Sequence, residues 1–190
     1  MTEVVPMSIP TGWPEAGGRD GWADGGGTGG FSRELRAILA QAAASGRSDL
    51  LFISADVHFG AAFRYRPFAA QPEFVVHELI SPPLSAGIGN TKEYDRGLGA
   101  EPLFRHAPES VDDLASYEQA RAWLGFGEIR IDATGNLSAA LRGVDGEPLY
   151  ELQLSPTRAT RLAEYRVDGS DCARHGGYGR GCSVPALLPH

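Results

Sequence analysis

The chain has 190 residues, a net charge of −7, and 42% hydrophobic against 22% charged residues. That balance fits one soluble globular domain with its own core and argues against a basic nucleic-acid-binding surface. No window approaches the roughly 18 apolar residues of a membrane span, and MTEVVPMSIPTGWPEAGG lacks a basic region followed by an apolar core, so no export signal is read and a cytoplasmic location is the default expectation.

Residues 1–30 are rich in Gly and Pro, carry Trp13 and Trp22, and show no sustained period. They read as a long loop held in place by its aromatics. Residues 31–44, FSRELRAILAQAAA, are predicted as a helix, with Phe31, Leu35, Ile38, Leu39 and Ala42 on one apolar face and Gly46 as its stop. LLFIS (50–54) and FVVHELI (74–80) read as strands. Within 81–124, SPPLSAGIGN is a turn-rich loop, and SVDDLASYEQARAWL is a short helical stretch with Ser110 as its cap. From 126 to 154 the pattern alternates. FGEIRIDA, NLSAALRGV and EPLYELQL form a three-stranded meander, joined at Thr134-Gly135-Asn136 and Asp145-Gly146. Residues 155–190 lose the pattern and read as a disordered tail. Cys172 and Cys182 lie in it and fit neither a disulfide framework nor a four-ligand zinc pattern. The fold class expected is α/β (α+β), a helix and strands followed by the meander.

Asp56 and His58 follow directly on the apolar strand at 50–54. At the carboxyl end of a strand, side chains converge in the crevice where open α/β sheets bind ligands. An Asp-x-His pair there supplies one oxygen and one nitrogen to a metal. The alternative from pattern alone is a strand-end Asp in a turn beside a partly buried His. Arg64 and Arg66 could fork a substrate phosphate, or face solvent. Asp20 and Trp22 either line a cleft, or tie down the loop and plug the core edge. His77 reads as a hydrogen-bonded structural residue, on the strand face opposite Val76 and Glu78. His106, His175 and His190 read as solvent-facing.

Four pieces in order carry a resemblance: VPMSIPTG with GRDGWADG, the helix at 31–44, LLFISADVHFGAAFRY, and FVVHELISPPLSAG. Together with the meander they resemble the carboxyl-terminal half of the alkaline phosphatase D (PhoD-like) family of metallophosphoesterases, over roughly residues 4–154. The resemblance implies the carboxyl-terminal part of a layered metallophosphoesterase sandwich. It also implies a phosphoric ester hydrolase of the phosphatase or phosphodiesterase type. Two metal ions, iron with calcium or other divalent ions, would hold a hydroxide nucleophile. Asp56 and His58 are carried over as metal ligands, and Asp20, Trp22 and Arg64 are candidate substrate-binding residues. No catalytic residue is assigned. Family members are often exported. The family's upstream ligands, an early acidic or Cys ligand, a Gly-Asp motif and an Asn-His-Asp motif, are not found in the chain. The expectation is therefore a fragment, inactive by itself, that could associate with the missing amino-terminal half. The rival expectation is a non-catalytic remnant or binding module.

Overall fold

A computed structural model describes residues 5–11, 21–23, 31–47, 49–112 and 114–155, with Asp49 described by its backbone only. The chain divides into two units, Met1–Arg158 and Ala159–His190, and only the first contains described residues. The predicted disordered tail beyond Ser155, with Cys172, Cys182, His175 and His190, lies outside the described residues, as does Asp20.

Helix α1 spans Ser32–Ala44 and buries Leu35 and Leu39, one turn apart on a narrow stripe. Phe31 and Ile38, predicted on the same apolar face, are 55% and 43% exposed. The sheet meets only the stripe and leaves both flanks outside. Gly46 ends the helix at φ 73°, its N–H bonded to the Ala43 carbonyl, while the Arg47 N–H reaches Ala42. This is a Schellman stop, and its left-handed residue costs glycine least.

Four strands form the first sheet: β1 (Asp49–Ser54), β2 (Gly60–Tyr65), β3 (Val75–Ile80) and β4 (Glu101–His106). Their order is β1-β3-β2-β4, with β1 parallel to β3 and the other pairs antiparallel. The strands predicted at 50–54 and 74–80 are β1 and β3, while β2 and β4 had no counterpart in the sequence reading. β4 carries Pro102, which an edge strand tolerates because its outward side needs no partner.

Helix α2 is short, Tyr117–Arg121. Ser116 and Gln119 cap it reciprocally, so it begins there and not at Ser110, whose hydroxyl instead accepts from the Asp112 N–H at 3.1 Å in a turn. The meander is as predicted: β5 (Gly125–Ile131), β6 (Leu137–Gly143) and β7 (Pro148–Leu154), in that order and antiparallel throughout. Its two turns place Gly135 and Gly146 at φ 86°. The described residues thus form a mixed α and β structure of two sheets and two helices, mostly β.

Alternation along the first sheet builds two apolar clusters. Val76, Ile80, Phe63 and Tyr65 pack with Leu35 and Leu39 of α1 and with Met7 and Ile9 of the buried segment at 5–11. Fully burying each such side chain is worth about 1.5–3 kcal/mol. Leu79 joins Ala139 and Leu141 of β6 in the second cluster, with Leu51, Phe104 and Tyr150 against it.

Candidate functional site at the exit of β1

Because β3 sits between β1 and β2, residues 55–59 must cross over the carboxyl end of β3, about 10 Å or two strand spacings. Ser54 is anchored first, its carbonyl accepting the Ser81 N–H at 2.8 Å. The chain then turns sharply. The Val57 N–H bonds back to the Ala55 carbonyl at 2.9 Å, with Asp56 between them at φ 71°. This is the rarer, positive-φ kind of γ-turn. His58 follows at φ 61°. Left-handed backbone at a residue other than glycine costs about 1–3 kcal/mol and clusters at functional sites. Asp and His are among the side chains that enter this region most readily.

Both side chains are exposed, while Val57 and Phe59, on either side of His58, point into the core. The loop at 81–90 closes over this crossing. Gly89 donates to the His58 carbonyl at 2.8 Å, and a Cβ on Gly89 would stand 2.2 Å from the Val57 oxygen. Arg105 braces that loop through the Asn90 carbonyl at 2.6 Å and lies over the Phe59 ring. Beside the exit, Ile53, Leu79, Ser81, Ile129 and Leu141 line an apolar groove of about 330 Å³.

Apart from His106, which pairs with Gly60 just after the crossing, the other described positions lie away from this exit. Arg64 is four residues along β2 from Gly60, about 13 Å away at strand rise. Its guanidinium is forked by Glu101, with Nε and Nη2 at 3.0 and 2.8 Å from the two oxygens. Arg66 reaches the same carboxylate at 3.4 Å. Arg64 in particular holds Glu101 below the usual carboxylate range. His77, opposite Arg64 across the ladder, is half-buried; burial, then Arg64 and Arg66, push its imidazole down. Trp22 packs edge-on against Phe52, ring centres 5.9 Å apart, at the border of the first cluster. His106, expected in solvent, is half-buried. It is stacked on Phe104, tilted against Trp123, and its Nε2 is 3.0 Å from the Ala122 carbonyl. Phe104 on β4 and Trp123, just past the end of α2, take it out of water, and that burial lowers its pKa.

One group at the exit escaped the sequence reading. Glu78 is completely buried in the middle of β3. Its carboxylate accepts from the Met7 N–H at 2.9 Å, from the Tyr65 hydroxyl at 2.5 Å and from the Ser54 hydroxyl. Ser8 completes the network, its hydroxyl 2.8 Å from that of Tyr65. Burial pushes the Glu78 carboxyl up, and its three donors pull it part of the way back. Burial and the Glu78 charge push the Tyr65 phenol well up. The signal was available: alternation puts this acid on the same face as Val76 and Ile80.

Asp56 and His58 offer donors suited to a metal, but two donors fill only part of a coordination sphere. Among the described residues no group of three or more His, Cys, Asp or Glu is placed to hold a metal ion. The described residues therefore do not fit a two-metal centre by themselves. Compared with protein-family models, curated proteins and solved structures, the chain matches none.

Proposed function

We propose that Asp56 and His58 are two ligands of a metal centre of the PhoD-like metallophosphoesterase kind, acting on phosphate esters and completed by groups outside the described residues. The observation that carries this reading is the pair of left-handed backbone positions at the exit of a parallel strand, which spends conformational energy to display both side chains outward. The site lies where open α/β sheets place ligands. The metals of the resemblance, iron with calcium or another divalent ion, would supply charge neutralisation and an activated water once bound. No catalytic step is assigned to this chain, because its described residues supply too few donors. On this reading the chain alone does not hydrolyse phosphate esters, and a second polypeptide segment carrying the remaining ligands restores the centre.

The rival is a non-catalytic module that keeps Asp56 and His58 as a remnant, and the donor count favours it. Elemental mass spectrometry of untagged protein, together with Mn²⁺ broadening of the His58 imidazole signals, separates the two. Selective broadening that Asp56→Ala abolishes supports a ligand pair. Protein free of metal, with His58 signals indifferent to Mn²⁺, removes the ligand reading and leaves the module. No helix among the described residues is long and apolar enough to cross a membrane.

A further inference from the structure

A carboxyl in an apolar layer is retained at a cost, since taking it out of water is unfavourable unless hydrogen bonds replace those it loses. Glu78 has no cationic partner among the described ion pairs. Its partners come instead from three separate segments: Met7 from the buried stretch at 5–11, Ser54 from the last position of β1, and Tyr65 from β2. Ser54 is therefore tied twice to the β3 strand and its exit, by its side chain to Glu78 and by its carbonyl to Ser81. Immediately after this double anchor the backbone enters the γ-turn at Asp56 and the left-handed position at His58. Strained backbone persists only where its surroundings over-determine it. The double anchor on Ser54 is that over-determination on the upstream side, as the Gly89 hydrogen bond to the His58 carbonyl is on the downstream side.

We propose that Glu78 is a positioning residue for the Asp56–His58 loop: through the Ser54 hydroxyl it fixes the direction in which β1 ends, and so holds the left-handed turn that displays both side chains. The consequence of this role for chemistry rests on the ligand reading given above; the geometric role does not. Glu78 also takes the Met7 N–H, so the same carboxylate links the loop to the buried amino-terminal segment.

The test is amide hydrogen exchange by NMR on the full chain in the presence of a chelator, comparing the parent protein with Ser54→Ala, Ser54→Thr and Glu78→Gln. Two amides report the loop directly, Val57 (to Ala55) and Gly89 (to His58). Losing one buried hydrogen bond of ordinary strength corresponds to about a ten-fold change in an opening equilibrium. Ser54→Ala should therefore speed exchange at Val57 and Gly89 by about that factor, while Ala139 and Leu141 in the meander keep their protection. Ser54→Thr, which keeps the hydroxyl, restores it. Glu78→Gln, which replaces one acceptor oxygen by an NH₂ facing donors, loosens the same two amides. Unchanged exchange at Val57 and Gly89 in Ser54→Ala overturns the proposal. Equal loosening of loop and meander also overturns it, since the network would then serve only global stability. Because the readout needs no metal, a protected loop that ignores Mn²⁺ counts against the ligand reading alone, and a metal-binding loop indifferent to Ser54→Ala counts against the positioning role alone.

Discussion

Gly89→Ala is the sharpest perturbation of the exit loop. The added Cβ would lie 2.2 Å from the Val57 oxygen, 3.3 Å from the Val57 carbonyl carbon and 3.5 Å from the His58 Cβ. The closest contacts are backbone, so no side chain can swing aside, and the two segments must part by about 1 Å to reach ordinary C···O separation. Parting them breaks the hydrogen bond from Gly89 to the His58 carbonyl, now 2.8 Å. The lost bond is worth about 0.5–1.5 kcal/mol and the overpacking about 1–3 kcal/mol, so the variant should lose about 2–4 kcal/mol. For a domain of this size that lowers the thermal midpoint by on the order of 10 °C. The assay is thermal unfolding by circular dichroism, with His58 imidazole shifts read in parallel. Gly127→Ala is the control: its Cβ meets nothing nearer than the Ser81 hydroxyl at 3.7 Å, and its stability should stay within about 0.5 kcal/mol of the parent. If Gly89→Ala melts with the parent and leaves His58 unmoved, the 81–90 loop does not brace the exit, and the account of the strained turn fails with it.

Two pH predictions follow from the buried and the hydrogen-bonded carboxyls. Burial raises Glu78 above its ordinary 4.5, so the native protein holds this proton more tightly than the unfolded chain; the stabilisation is complete below that value and is lost as the pH climbs through the raised native one. Glu78→Gln cannot ionise, so its midpoint should gain on the parent as the pH rises above 4.5, and parallel curves would contradict the assignment. Asp132 behaves oppositely. The Thr134 and Asn136 side chains hold it at about 2, so its stabilisation is present above the ordinary 3.8 and lost as the pH falls toward about 2. Asp132→Ala should flatten that acid limb and speed exchange at the Asn136 amide, which now donates to the carboxylate at 2.9 Å; an unchanged acid limb would refute it.

The parts of this fold that were legible in the sequence are those whose signals are local. β1 is a continuous apolar run, the meander alternates residue by residue between glycine turns, and α1 shows its i, i+4 leucines. β2 was hidden because it is interior: Gly60, Ala61, Ala62 and Phe63 are buried in succession, so no polar face alternates with an apolar one. Pro102 disguised β4, since the outer edge that excuses a proline is a property of the assembled sheet. At the site, Asp56 and His58 could be picked out as a strand-end pair, but their left-handed backbone could not. It arises because β3 fills the slot between β1 and β2. Glu78 makes sense only with donors 71, 24 and 13 positions away, and no local window contains them.

That inserted strand also dictates when the site can exist. β1 and β2 come first along the chain, separated by five residues, yet they are not neighbours in the finished sheet. While β3 is undocked, nothing obliges residues 55–59 to span two strand widths, and the Glu78 carboxylate that grips Ser54 is elsewhere. The crossing tightens only when the later segment slides into the gap. Display of Asp56 and His58 therefore depends on closure of the sheet, and a change that keeps β3 from entering the gap also removes the crossing that shapes the site.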